Sequence, residues 1–137
     1  MIIMQTIVEE VVDRLSNAHN IGDLLVVPAF SSNINPKTLT RGTISVGVSE
    51  LEIENRDETT VSLKRPYTAK VKLSFYYPYS GGIFKMNEMV DLAYTILLFS
   101  QARMDIKNVK CEAPRFKREL DAIIIDSEFI LQGNVMA

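Results

Sequence analysis

His19 and Cys111 are the only histidine and the only cysteine of the 137-residue chain, and they are the first candidates for catalysis. A histidine that acts as a general base needs a nucleophile or a carboxylate held beside it, and only Asp23 is near His19 in sequence. Cys111 lies in an alternating segment, where we predict that it faces inward and behaves as a small apolar residue. We therefore expect no catalytic site, and the residue spacing predicts neither a metal site nor a cofactor site.

Two further stretches carry groups that bind ligands in other proteins. The turn Ser80–Gly82 precedes a helix and could offer backbone N–H groups to an anion. It lacks the Gly-Lys-Ser/Thr ending of a P-loop and the glycine spacing of a dinucleotide site, so we interpret it as a strand-to-helix turn. Tyr76, Tyr77 and Tyr79 resemble a stacking platform for nucleic acid, but strand periodicity places Tyr76 and Tyr77 on opposite faces. A protein contact is favoured, because tyrosine is common at protein interfaces.

Composition and length bound the class of protein. Apolar residues make up 47% and charged residues 23%, and the formal net charge is −2, which does not predict a nucleic-acid binder. The length suits one domain over residues 1–137. The apolar start Ile2-Ile3-Met4 meets Glu9 and Glu10 too soon for a signal peptide. No stretch is long enough for a membrane span, so we expect no membrane partner and synthesis in the cytoplasm.

The segment Tyr67–Gln101 organises the predicted fold. Its first part alternates as a strand over Tyr67–Tyr77, and its second part has helical periodicity over Lys85–Gln101. The strand has one apolar face formed by Ala69, Val71, Leu73, Phe75 and Tyr77. The helix has a wide apolar stripe formed by Met86, Met89, Val90, Ala93 and Leu97. We predict that this helix packs on the apolar face of the sheet.

The same periodicities predict the other elements. These are a helix over residues 3–17 and strands over Leu24–Phe30, Thr43–Glu54, Val109–Ala113 and Asp121–Gln132. Pro28 predicts an edge position for the first strand, and a change of phase near Ser49–Glu50 predicts a bulge in the second. Gly133 and Asn134 are predicted to end the last strand. The order α-β-β-β-α-β-β indicates an α+β fold with two helices and a mostly antiparallel sheet.

Three parts of the chain are candidates for contacts with partners. Ile124 and Ile130 make the second face of the last strand apolar, which predicts a central position or contact with a partner chain. The N-terminal helix is the alternative cover for that face. The charged stretches Asn55–Lys64, with Arg56, Asp57 and Glu58, and Pro114–Glu119, with Arg115 and Lys117, are predicted to be solvated loops or docking loops.

The order and size of the elements resemble those of the tail terminator proteins of long-tailed bacteriophages. The residues that carry the resemblance are the helix Met4–Leu15, the strands Thr43–Glu54 and Tyr67–Tyr77 with the loop Asn55–Lys64 between them, the helix Lys85–Gln101, and the strands Val109–Ala113 and Asp121–Gln132. Small tail-completion and head–tail joining proteins resemble it almost as well.

The resemblance implies a structural protein and not an enzyme. It implies a homo-oligomer, a hexameric ring that caps the tail tube and meets the head connector, with DNA only passing through it. Such a protein would be found in the host cytoplasm during assembly and then in the virion tail. The residues predicted to contact partners are Arg56, Asp57, Glu58, Ile124, Ile130, Arg115 and Lys117. A small-ligand-binding α+β module and an unrecognised enzyme stay open as alternatives.

Overall fold

The computed structural model of the protein describes residues 3–29, 41–54 and 64–136. Within these ranges the chain forms helices α1 and α2, strands β1 to β6 and two single 3-10 turns. In chain order they are α1 (Ile3–Ser16), β1 (Leu25–Pro28), β2 (Thr43–Ile53), β3 (Lys64–Pro78), a 3-10 turn (Tyr79–Gly81), α2 (Gly82–Phe99), β4 (Ile106–Cys111), β5 (Arg115–Lys117), a 3-10 turn (Arg118–Leu120) and β6 (Ala122–Met136). The predicted α+β class and element order are confirmed, with β5 as a short addition.

The strands form one sheet in the order β1-β2-β3-β6-β4, and β5 also pairs with β6. β1 runs parallel to β2, and every other described pair is antiparallel. The register of β2 shifts between Val48 and Glu50, so the predicted bulge is confirmed. β1 lies at an edge, as Pro28 predicts. The predicted central position of β6 is also confirmed, because β6 pairs with β3 over fifteen residues and with β4 and β5 on its other side.

Both helices pack on the same face of the sheet. The helix α1 contributes Ile7, Val11 and Leu15, which recur every fourth residue and therefore lie on one helix face. The buried core also includes residues from α2, β3 and β6, among them Met86, Ala93, Leu97, Val71, Leu73, Phe75 and Phe129. The prediction that α2 packs over Val71, Leu73 and Phe75 is confirmed. α1 joins this same core, so it does not cover the second face of β6.

A second, smaller cluster lies on the opposite face of the sheet. Ile124 is 1% exposed there and packs with Leu120, Ala122 and Tyr76. Leu120 belongs to the 3-10 turn after β5, and Asp121 follows it in the left-handed region at φ 48°. The sequence predicted that Pro114–Glu119 is a charged loop. The 3-10 turn instead folds the end of this segment back onto the sheet. The cover for Ile124 therefore comes from its own chain.

The predicted end of the last strand at Gly133 and Asn134 is wrong, because β6 continues to Met136. Gly133 lies opposite Tyr67 on β3. A Cβ atom at Gly133 would be 2.7 Å from the Tyr67 hydroxyl oxygen, so the tyrosine ring occupies the space that a side chain would fill. An aromatic ring over a strand glycine supplies the packing that the glycine lacks, and the ladder continues through it.

The two edges of the sheet are poorly suited to pairing with another strand. β1 has four residues and ends in Pro28, which has no N–H to donate. β4 is irregular, because its register with β6 shifts between Lys107 and Lys110 and Asn108 has φ 57°. Lysines and bulges on an edge strand are devices that hinder pairing with a further chain.

Candidate protein-binding surfaces

The two residues that could act in catalysis lie apart and exposed. His19 is in the connection after α1 and is exposed. Cys111 lies on the helix side of the sheet, opposite Ser127, as the alternation predicts. The prediction that it is buried is wrong, since β4 lies at the edge of the sheet and its last five residues are exposed. Partial desolvation, and then the Asp91 carboxylate, raise the pKa of the Cys111 thiol, which is the opposite of what a reactive cysteine needs.

The titratable residues do not converge on a metal site. Across residues 3–29, 41–54 and 64–136, no group of three or more His, Cys, Asp or Glu side chains is arranged to hold a metal ion. No helix in these ranges has the length and apolar character needed to cross a membrane.

A groove beside α1 includes Glu9, Glu10, Asp13 and Arg14 in its lining. The Arg14 guanidinium is already engaged, because it is 3.0 Å from Glu10 and donates to the carbonyl oxygens of Ala102 and Arg103. These contacts hold α1 against the connection that follows α2. We interpret the groove as the seam between two packed elements.

Two buried hydroxyl groups of the core, those of Tyr94 and Ser127, form a hydrogen-bond network with the backbone. The Ser127 hydroxyl donates a 2.9 Å hydrogen bond to the carbonyl oxygen of Leu73. Because a serine has one hydroxyl hydrogen, the Tyr94 hydroxyl, 2.5 Å away, donates to Ser127. Burial raises the pKa of Tyr94, and the hydrogen bond to Ser127 only partly opposes that effect. Tyr94 therefore stays neutral, and its hydroxyl ties α2 to the β3–β6 pair.

Of the residues predicted to meet partners, Ile130 lies at the surface and Ile124 does not. Ile130 is half-buried on the face of the sheet opposite the helices, between Lys70 on β3 and Lys107 on β4. It borders a depression of about 370 Å³, which we call the β2–β6 depression, lined by Glu50, Leu51, Glu52, Thr68, Lys70 and Ile130. Arg56, Asp57 and Glu58 lie outside the described residues.

Arg115 and Lys117, on the short strand β5, have different surroundings. The Arg115 guanidinium is 2.9 Å from one oxygen of Asp126, and the Ser74 hydroxyl donates to the other oxygen over 2.7 Å. Burial raises the pKa of the Asp126 carboxyl group, but the hydrogen bonds from Arg115 and Ser74 and the positive charges of Arg115 and Lys72 together hold that pKa below its ordinary value. Lys117 is exposed and forms no ion pair with any residue of the described ranges. Lys117 is therefore free to meet a partner, whereas Arg115 is engaged within the chain.

Sequence reasoning missed an aromatic contact at the surface. Tyr79, just after β3, and Phe116, on β5, have ring centroids 5.1 Å apart in an edge-on arrangement. Both rings remain exposed, Tyr79 by 59% and Phe116 by 52%. Phe116 is a single aromatic residue among charged ones, which gives no periodic signal. Its position between Arg115 and Lys117 was the only hint, since an apolar residue in a charged segment needs either burial or a partner.

Across the described residues, the fold and its surfaces define an α+β protein with both helices on one face of the sheet and the other face partly covered by the turn at Leu120. A scan against models of protein families found no match for this chain, and a search of curated proteins found no significant match either.

Proposed function

We propose that this protein is an assembly protein of a phage or prophage tail that forms an oligomeric ring, caps the tail tube and joins it to the head connector. The observation that carries the proposal is the order of the elements, helix, three strands, helix and closing strands, around a mostly antiparallel sheet. This order is the basis of the resemblance to tail terminator proteins. The proposal places the protein in the host cytoplasm during assembly and then in the virion tail.

The surface of the protein supports association with other chains. The side chains of Tyr79 and Phe116 are exposed to solvent, and aromatic residues are enriched at protein–protein interfaces. Ile130 places a further apolar side chain on the face of the sheet opposite the helices. By contrast, a ligand-binding module needs an enclosed pocket with a few converging polar groups. The depressions described above are open at the surface and lined largely by charged side chains, so they give the ligand-binding alternative no support.

Sedimentation of the purified protein over a wide concentration range tests ring formation. We expect a discrete oligomer whose mass is a small multiple of 15.5 kDa, and a ring in electron micrographs. Ile130→Lys should break the oligomer and leave the fold intact. Gln101→Lys is the matched control, since Gln101 is exposed after the end of α2 and does not line the depression. A monomer at every concentration would contradict ring formation by the isolated protein.

The role in the tail is tested in a phage that encodes this protein. Deletion of its gene should yield tails of abnormal length or tails that fail to join heads. Normal tails in that phage would overturn the terminator role. The predicted loop Asn55–Lys64 includes Lys64, which belongs to β3. Removal of residues 55–63, the rest of that stretch with Arg56, Asp57 and Glu58, should spare the ring but abolish capping if this stretch docks on the tube.

A further inference from the structure

The Tyr79–Phe116 pair is held in place by the backbone around it. The Tyr79 amide donates a 2.9 Å hydrogen bond to the carbonyl oxygen of Asp121, next to the start of β6. Phe116 is fixed by strand pairing, because it lies opposite Ile123 on β6. The two exposed rings are therefore ordered before any partner arrives, which lowers the entropy lost on binding.

Unpaired positive charge surrounds this pair. Lys117 and Arg118 follow Phe116 directly, both are exposed, and neither forms an ion pair within the described part of the chain. We call Tyr79, Phe116, Lys117 and Arg118 the aromatic corner. Arg115, which precedes Phe116, is engaged by Asp126, so Lys117 and Arg118 are the cations that this corner offers, and the exposed Glu119 and Asp121 follow them in the turn. Exposed carboxylates without an ion pair to a described residue would complement these cations, and a second copy of this chain carries such groups at Glu52 and Glu54.

The complementary surface is the β2–β6 depression together with Glu54. Ile130 gives the depression an apolar side chain, and Glu50 and Glu52 give it negative charge. Glu50 is 3.9 Å from Lys70, whereas Glu52 and Glu54 are exposed and form no ion pair with a described residue. The depression thus places the Ile130 side chain beside exposed carboxylates, and the corner places aromatic rings beside exposed cations.

The corner and the depression lie at opposite ends of the long strands. The depression includes Thr68 and Lys70 near the start of β3, and the corner begins just after Pro78, at its end. Ten residues of strand separate Thr68 from Pro78, about 30 Å. One chain therefore presents the two surfaces to two different neighbours. Strand addition is a poor alternative, since Pro28 hinders it at β1, and the irregular backbone at Asn108 hinders it at β4.

We propose that the aromatic corner of one copy docks into the β2–β6 depression of the next copy, so that subunits associate head to tail. The proposal rests on the proposed function, since it names the contact that would build the ring. A symmetric contact of corner with corner would oppose like charges. A head-to-tail contact pairs Lys117 and Arg118 with carboxylates and propagates into a closed ring if the rotation between subunits closes.

Sedimentation of matched variants tests the contact. The double variant Tyr79→Ala/Phe116→Ala should raise the dissociation constant of the oligomer on the order of tenfold or more, as for central aromatic residues of interfaces. Phe99→Ala is the matched control, because Phe99 is 78% exposed at the end of α2 and outside both surfaces. Lys117→Glu should weaken the oligomer more than Lys72→Glu, and high salt should weaken the wild-type oligomer. Circular dichroism verifies that each variant is folded.

A mixing experiment tests the head-to-tail geometry directly. Tyr79→Ala/Phe116→Ala loses the corner and keeps the depression, and Ile130→Lys loses the depression and keeps the corner. At a concentration between the dissociation constants of the wild type and of the variants, each variant alone should be monomeric, and an equal mixture should form dimers that contain one copy of each variant. No dimer in the mixture would overturn the head-to-tail contact.

The remaining outcomes separate this proposal from the proposed function. If the wild type forms an oligomer that the corner variants leave unchanged, the contact is overturned and the ring is not. If the wild type is monomeric at all concentrations, the contact and ring formation by the isolated protein are both overturned, and the role in the tail is decided by deletion of the gene. A single-stranded DNA probe that binds the wild type but not the corner variants, with the oligomer unaffected, would assign the corner to nucleic acid and overturn the contact.

Discussion

Tyr94 on α2 donates its hydroxyl hydrogen to Ser127 on β6, which in turn donates to the carbonyl oxygen of Leu73 on β3. The chain of two hydrogen bonds joins the helix layer to both central strands. It is directional, because each hydroxyl group supplies one hydrogen. The two ends of the chain should therefore respond differently to substitution.

Ser127→Ala should destabilise the protein more than Tyr94→Phe. Removal of the serine hydroxyl leaves the buried Tyr94 hydroxyl without an acceptor, which costs about 1–3 kcal/mol. Tyr94→Phe leaves Ser127 bonded to Leu73, and its cost should be about 0.5–1.5 kcal/mol, the contribution of an ordinary hydrogen bond. Urea unfolding of the two variants measures the difference. A larger loss for Tyr94→Phe would contradict the assigned direction.

Asp126 should make stability depend on acid pH. Burial raises its folded-state pKa, but the hydrogen bonds from Arg115 and Ser74, together with the positive charges of Arg115 and Lys72, hold that pKa below the ordinary value of 3.8. Because this pKa is lowered, the stabilisation of the folded state by ionised Asp126 is fully present above the unfolded-state pKa. It is lost as the pH falls through the folded-state pKa. The wild type should therefore exceed Asp126→Asn in stability at neutral pH, and the gap should close below about pH 4. Urea unfolding across this range checks it, and a gap that widens in acid would contradict it.

Leu73→Ala should test the core beneath α2. Leu73 is 0% exposed and belongs to the main core, so its truncation leaves a cavity and should cost about 2–5 kcal/mol. Phe99→Ala is the control, since Phe99 is 78% exposed and its truncation should change stability by less than about 0.5 kcal/mol. Thermal or urea unfolding measures both. If both variants lose similarly little free energy of unfolding, the Leu73 side chain does not contribute to core packing as described.

Gly133→Ala should destabilise the β3–β6 pair through Tyr67. The new Cβ atom would meet the tyrosine ring at under 3 Å, and overpacking of this kind costs about 1–3 kcal/mol. The loss should shrink in a Tyr67→Leu background, because the atoms that clash are then absent. A double-mutant cycle by urea unfolding measures this coupling. An equal loss in both backgrounds would assign the effect to the backbone instead of the ring.

The sequence predicted the elements whose periodicity reflects burial. Alternation over β3 and the apolar stripe of α2 identified the core around Leu73, and the change of phase near Ser49 located the bulge in β2. Which strands pair was harder to predict. β1 and β2 pair in parallel, and the periodicity within one segment does not indicate its neighbour in the sheet. The same limit applies to Gly133, which lies within a strand that pairs with β3 and is covered by the Tyr67 ring from β3.

Exposure at the sheet edge and at the candidate surfaces was predicted less well. Alternation gave the correct face for Cys111 but not its exposure, which depends on how far the helices extend over the sheet. Ile124 and Ile130 had the same pattern in sequence, yet Leu120 covers only Ile124. Tyr79 and Phe116 come together through the turn at Asp121, so no local pattern predicted their contact.

The irregular edges of the sheet bear on how the protein behaves when it is concentrated. A regular edge strand can template the addition of identical strands and lead to cross-β fibres, in which release is very slow. Pro28 at one edge and the left-handed Asn108 at the other remove that template. Growth of fibrils from these two edges of the described sheet is therefore hindered even where the protein is concentrated.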